Sequence, residues 1–157
     1  MRTFFAQMLS ILLVIAAVLF TTGCGSGQTN TAMTNPEASL RALEAEAGMQ
    51  FPTNTVLLGA TDGGSRNAAQ GFYEWGLFSP TPIQMPLMKA PGVTKGYLDL
   101  PLDGTLESVQ SMMGKRRISN PQSAFGSQWE TNGYFHRGTI VRSPKGDYLV
   151  IQRFPIR

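Results

Sequence analysis

The stretch Trp129 to Phe154, WETNGYFHRGTIVRSPKGDYLVIQRF, decides the fold. Two runs rich in β-branched and aromatic residues, Trp129 to Arg142 and Tyr148 to Phe154, flank SPKGD, whose proline and glycine suit a hairpin loop of about five residues. In the second run Tyr148, Val150, Gln152 and Phe154 alternate with Leu149, Ile151 and Arg153. A period of two over that length specifies a strand, here with one apolar face and one mixed face. The chain therefore ends in a sheet, and the remaining elements need a place on it.

Upstream, the spacing predicts a helix over 36–47. Asn35 can cap it and Pro36 suits its first position; Leu40, Leu43 and Ala47 share one face, Glu37, Arg41 and Glu44 take the others, and Gly48 closes it. Thr55 to Ala60 reads as a buried strand and Phe72 to Phe78 as the strand that returns, joined by TDGGSRNAAQG. Gly63 and Gly64 in that connection lack the lysine and spacing of a phosphate-binding loop.

Residues 79–92, SPTPIQMPLMKAPG, set four prolines among Ile83, Met85, Leu87 and Met88. Proline blocks regular pairing, so this is an irregular crossing segment. Its apolar side chains either line the core or form an adaptable, methionine-rich partner surface. A short strand over 96–100 follows. A second helix then begins with Asp103 and Thr105 as caps, gathers Leu106, Val109 and Met113 on one face and stops at Gly114. Lys115, Arg116 and Arg117 stand where cations favour a helix C-terminus. Residues 120–128, NPQSAFGSQ, read as loop. The expected fold is α+β: a small antiparallel sheet with two helices packed on it, an order compatible with an α-β-β unit used twice.

Length and composition agree with one such domain. The chain has 157 residues, 42% of them apolar and only 15% charged, enough to bury one core and too few for two of ordinary size. A single cysteine excludes an internal disulfide, and with a single histidine it excludes the common Cys/His zinc sites; no cofactor is expected. The formal charge of +3 is unevenly spread. Residues 115–157 hold 8 Lys and Arg against 2 Asp and Glu, whereas residues 24–77 hold 2 against 5. A basic C-terminal third can attract an anionic partner such as lipid head groups, anionic glycans or an acidic protein face, or can simply be a solvated surface.

The first residues have a separate logic. Arg2 is the only charge before an apolar run from Met8 to Phe20, and Thr-Thr-Gly precedes Cys24. A run of 13 residues is short of the roughly 20 that span a bilayer and has the proportions of a signal-peptide core. Over residues 1–24 the chain resembles bacterial lipoprotein precursors, whose lipobox ends in a small residue and a cysteine, here Gly23-Cys24, with Thr21 where an aliphatic residue is usual. The resemblance implies that residues 1–23 are removed as a signal peptide and that Cys24 is acylated. Residues 24–34 then form the lipidated cysteine and a flexible Gly, Ser, Thr and Asn-rich tether, and residues 35–157 the single domain. It also implies an exported, lipid-anchored protein at a cell membrane. Gly25, in place of the aspartate that retains such proteins at an inner membrane, favours the outer one where a cell has two.

No catalytic signature stands out in the remainder. His136 lies in a predicted strand beside Arg137, and Ser127, Ser143, Asp147 and Glu130 are available to it without a recognisable setting. The expectation is a membrane-anchored envelope lipoprotein with a non-catalytic protein-binding domain, serving assembly, scaffolding or immunity to a toxin. Its candidate partner surface is Trp75, Met85, Met88, Trp129, Tyr134 and Arg137. Nucleic acid is not an expected partner. The alternative is an envelope hydrolase acting on peptidoglycan or lipid through His136 or a carboxylate pair, which a pocket joining His136 to a serine or carboxylate would favour.

Overall fold

The computed structural model describes residues 36–62, 70–88 and 96–156. The expected signal peptide, Cys24, the expected tether and Asn35 cap, and the Gly63-Gly64 connection lie outside the described residues, as does the end of the crossing segment.

The elements run α1 (Pro36–Ala47), β1 (Val56–Thr61), β2 (Tyr73–Ser79), β3 (Leu98–Leu100), α2 (Leu102–Met112), β4 (Ser123–Thr131), β5 (Tyr134–Ser143) and β6 (Gly146–Pro155). All six strands form one antiparallel sheet in the order β1-β2-β6-β5-β4-β3. The fold is α+β, with the two helices on opposite faces of the sheet. Alternation along β6 divides the core. Leu149 and Ile151 join Ile140, Leu77, Trp75, Ile83 and Met85 under Leu43 and Ala47 of α1. Tyr148 and Val150 join Val141 and Ala124 under Val109 and Met113 of α2. An α-β-β unit occurs once, as α1-β1-β2; α2 is followed by three strands.

Three sequence expectations for the C-terminal strands need correction. The run from Trp129 to Arg142 is not one strand: Asn132 and Gly133 take φ of 51° and 77° and turn β4 into β5 in two residues. Successive positive φ values are what a tight hairpin needs to match strand twist, and Asn-Gly supplies them at little cost. The loop expected over 120–128 is for the most part strand, because β4 begins at Ser123 and pairs with β5 from Arg142 back to Tyr134. The turn in SPKGD is also shorter than five residues, since Ser143 pairs with Gly146.

Helix α1 has the expected bounds, and the Met49 N–H returns to the Glu44 carbonyl at 3.2 Å to close it past Gly48. Helix α2 starts earlier than its expected caps. Pro101 occupies the cap position without a side-chain hydrogen bond, and Asp103 and Thr105 lie inside the first turns. Proline's fixed φ suits that entry even though it brings no capping oxygen.

The crossing segment lies on the α1 face. Asp147, 1% exposed, accepts Nε and Nη2 of Arg142 at 2.8 and 2.9 Å and also the Ile83 N–H at 2.9 Å. A proline-rich segment cannot join a ladder, so side chains dock it instead: the Asp147 carboxylate at Ile83, and the Tyr97 and Ser127 hydroxyls at the Met85 and Pro86 carbonyls. No described helix is long and apolar enough to cross a membrane.

Candidate functional site

The two sheet faces end differently near the β4–β5 turn. On the α1 face this end is closed. Trp129 donates Nε1–H to the Ala47 carbonyl at 2.7 Å, and Asn132 donates Nδ2–H to the Ala45 and Glu46 carbonyls at 2.9 and 3.0 Å, so the hairpin satisfies the orphan carbonyls at the end of α1. Arg153 pairs with Glu46, donates Nε–H to the Gly71 carbonyl at 3.1 Å and lies 4.3 Å from the ring centres of both Tyr73 and Tyr134.

His136 sits inside this closure, fully buried, its ring stacked on Trp129 at 5.6 Å and 13°. Neither ring nitrogen has a hydrogen-bond partner among the described residues. Burial holds its pKa below the ordinary imidazole value of 6.5, Glu46 pulls the other way, and the Tyr134 backbone adds a lesser upward pull without reaching hydrogen-bond geometry. Arg153 pushes it down further. The groups that the sequence offers it are all engaged or turned away. Ser127 donates to the Pro86 carbonyl, Ser143 to the Gly146 carbonyl at 3.2 Å, Asp147 holds Arg142, and Glu130 points to the opposite face. His136 has no exposure and, among the described residues, no serine or carboxylate bonded to it, so the observation that favours a His136 hydrolase is missing at this position. Among the described residues no three His, Cys, Asp or Glu side chains are grouped to hold a metal ion.

On the α2 face the same end is open. Helix α2 covers Ala124, Val141, Tyr148 and Val150, and beyond them register aligns Gln128, Arg137, Gln152 and Glu74 in a row across β4, β5, β6 and β2. Arg137 is exposed and the other three are half-buried. Gln152 donates Nε2–H to Glu74 at 2.9 Å, while the Arg137 guanidinium lies 5.8 Å from the Phe154 ring centre. Phe154 meets Phe72 at 5.3 Å and Phe135 at 6.2 Å, forming an aromatic end to the row. Between the row and the flank of α2, where Gly104, Thr105 and Ser108 are too small to reach the sheet, lies a groove of about 490 Å³ floored by Gly126 and Thr139.

The six expected surface residues therefore do not form one surface. Trp75 and Met85 are 9% and 3% exposed and belong to the core under α1, where they offer a partner nothing. Trp129 and Tyr134 are half-buried in the closure around His136. Met88 is half-buried, its N–H bonded to the Gly96 carbonyl at 2.7 Å. Only Arg137 faces the open groove. The residues that join it, Gln128, Thr139, Gln152, Phe135 and Phe154, were missed although the alternation of β6 already puts Gln152 and Phe154 on one face. No protein-family model, curated protein or solved structure matches this chain.

Proposed function

We propose that the chain is a lipid-anchored envelope lipoprotein, acylated at Cys24, whose folded domain binds another envelope protein through the open end of the α2 face. The observation that carries the binding surface is the exposed Arg137 among two glutamines, Thr139 and a cluster of three phenylalanines, bordered by a groove. Arginine and aromatic side chains with adjacent amides are the residue types that concentrate binding energy at protein interfaces. The lipobox-like Gly23-Cys24 and the polar tether support the anchor. The buried setting of His136 leaves binding as the better reading over hydrolysis.

The test uses a photo-crosslinking amino acid placed at Gln128 in intact cells, with Gln50 on the other side of the molecule as control. A discrete protein adduct from position 128, absent from position 50 and reduced at least tenfold by Arg137→Glu, is the expected result. Adducts of equal yield from both positions defeat the assigned surface. Cell fractionation of Cys24→Ser tests the anchor: the parent chain is expected with the membranes and carries the mass of added acyl chains, and an unchanged mass and location in the variant defeats acylation.

A further inference from the structure

Four exposed cations collect at the end of the sheet opposite the proposed partner face. Past Gly114 the chain crosses from β2 to the start of β4. The Arg116 guanidinium stands 4.2 Å from the Phe78 ring centre, and the Gln122 N–H reaches the Arg142 carbonyl at 2.9 Å. Gln110 fixes this crossing, donating Nε2–H to the Arg116 carbonyl and accepting the Ile118 N–H, both at 2.9 Å. Lys115, Arg116 and Arg117 are thus exposed on an ordered loop. The β5–β6 turn brings Lys145 to the same end, since Ser79, the residue after Phe78, pairs with Asp147. None of these four makes an ion pair among the described residues. The nearby Arg142 charge is taken up by Asp147, and Asp99 lies with Arg142 beside a cleft on the α1 face. A helix dipole accounts for a cation or two just past α2, but not for Lys145, which belongs to no helix.

We propose that this basic end is a second membrane contact, lying against the phosphate-bearing head groups of an anionic lipid surface. The proposal rests on the reading that Cys24 carries lipid, because the anchor supplies the proximity. Charge complementarity argues for this occupant: each cation near an anionic leaflet adds attraction that fades within about a Debye length, so an end carrying four is selected over the opposite end, where the exposed Arg137 shares its sheet face with the exposed Glu130. The geometry permits it. Residues 25–35, fully extended, reach at most about 40 Å, while a strand of ten residues spans about 34 Å, so the anchor allows either end of the domain to touch the surface. The acyl chains then hold the protein, and the basic end decides how it stands.

The experiment compares the full-length Cys24→Ser chain with the same chain carrying Lys115→Gln, Arg116→Gln, Arg117→Gln and Lys145→Gln together. A third chain omits Arg116→Gln, leaving its contact with Phe78. Co-sedimentation uses vesicles of phosphatidylcholine alone and of an equal mixture with phosphatidylglycerol; the leader is common to all three chains and cancels. At low ionic strength the parent is expected to partition onto the mixed vesicles about tenfold or more above both variants, with the difference removed by molar salt and absent on phosphatidylcholine. Equal partition of parent and variants onto mixed vesicles, or a parent indifferent to lipid charge, overturns the proposal. Because these chains carry no acyl group, their result is separate from the Cys24 fractionation, and failure of either reading is visible without the other.

Discussion

Asp147 and His136 are both buried on the α1 face, and physical chemistry assigns them opposite fates. Asp147 accepts three hydrogen bonds, two from one guanidinium and one from the Ile83 backbone, so its charge is compensated where it lies. Asp147→Ala leaves the buried Ile83 N–H without a partner and loosens the start of the crossing segment. Arg142, 39% exposed, recovers part of its solvation, so the loss is expected at about 2–3 kcal/mol, read as a lowered midpoint in urea unfolding. His136 has no such compensation and is retained neutral. Its folded pKa lies below 6.5, so the unfolded chain takes up a proton where the folded one does not, and unfolding is favoured by acid. Stability is therefore expected to be level above about pH 6.5 and to fall as the pH drops through that value toward the lower folded pKa. His136→Phe keeps a flat ring against Trp129 and removes the titration. The melting temperature of the variant, followed from pH 7.5 to 5.5, is expected to lose that part of the slope; an unaltered slope assigns the acid sensitivity elsewhere.

At the scale of elements, what was legible in the sequence was periodicity, and what was not was register. Helix α1 was readable to the residue because proline, the three-to-four spacing of Leu40, Leu43 and Ala47, and glycine are all local signals. The open groove was not, because it is made by side chains aligned across four strands, and that alignment depends on a turn at Asn132-Gly133 hidden inside an otherwise strand-like run. The residue types at the groove were visible; their convergence was not. The seat of α2 was equally silent. A Cβ at Gly76 would collide with the Met112 carbonyl, so the close approach of helix to β2 needs glycine there, yet in the sequence Gly76 is only an interruption of a strand. Two glycine-to-alanine changes are therefore expected to act with opposite sign. Gly76→Ala must lift the end of α2 and is expected to cost about 1–3 kcal/mol. Gly104→Ala, in α2 with open space where its methyl would stand, is expected to add about 0.5–1 kcal/mol through helix propensity. Since Gly104 also borders the groove, the second change is expected to weaken crosslinking from position 128 while raising the melting temperature, a split that a purely structural glycine would not show.

For the whole molecule, the two proposed surfaces lie at opposite ends of the same strands. Arg137 is six residues along β5 from Ser143, a separation of about 20 Å in extended chain, so an end resting on lipid turns the groove away from the membrane toward a partner in the surrounding space. The long β5–β6 pairing keeps the two ends at a fixed distance, and orientation at one is transmitted to the other without any conformational change. Site-specific fluorophores on the chain in its proposed acylated form measure this directly. Gln122→Cys places a label beside the start of β4 at the basic end, and Glu130→Cys places one near its far end, about 27 Å away in extended chain. With quencher-bearing lipids in anionic vesicles, the label at position 122 is expected to be quenched and the label at position 130 to be little affected. Adding Lys115→Gln, Arg117→Gln and Lys145→Gln is expected to bring the two to similar quenching while the protein stays bound through its lipid. Similar quenching at both positions in the unaltered chain shows a domain that tumbles freely on its tether, and strong quenching at 130 alone shows the opposite orientation; either result removes the basic end as the feature that sets how the domain stands.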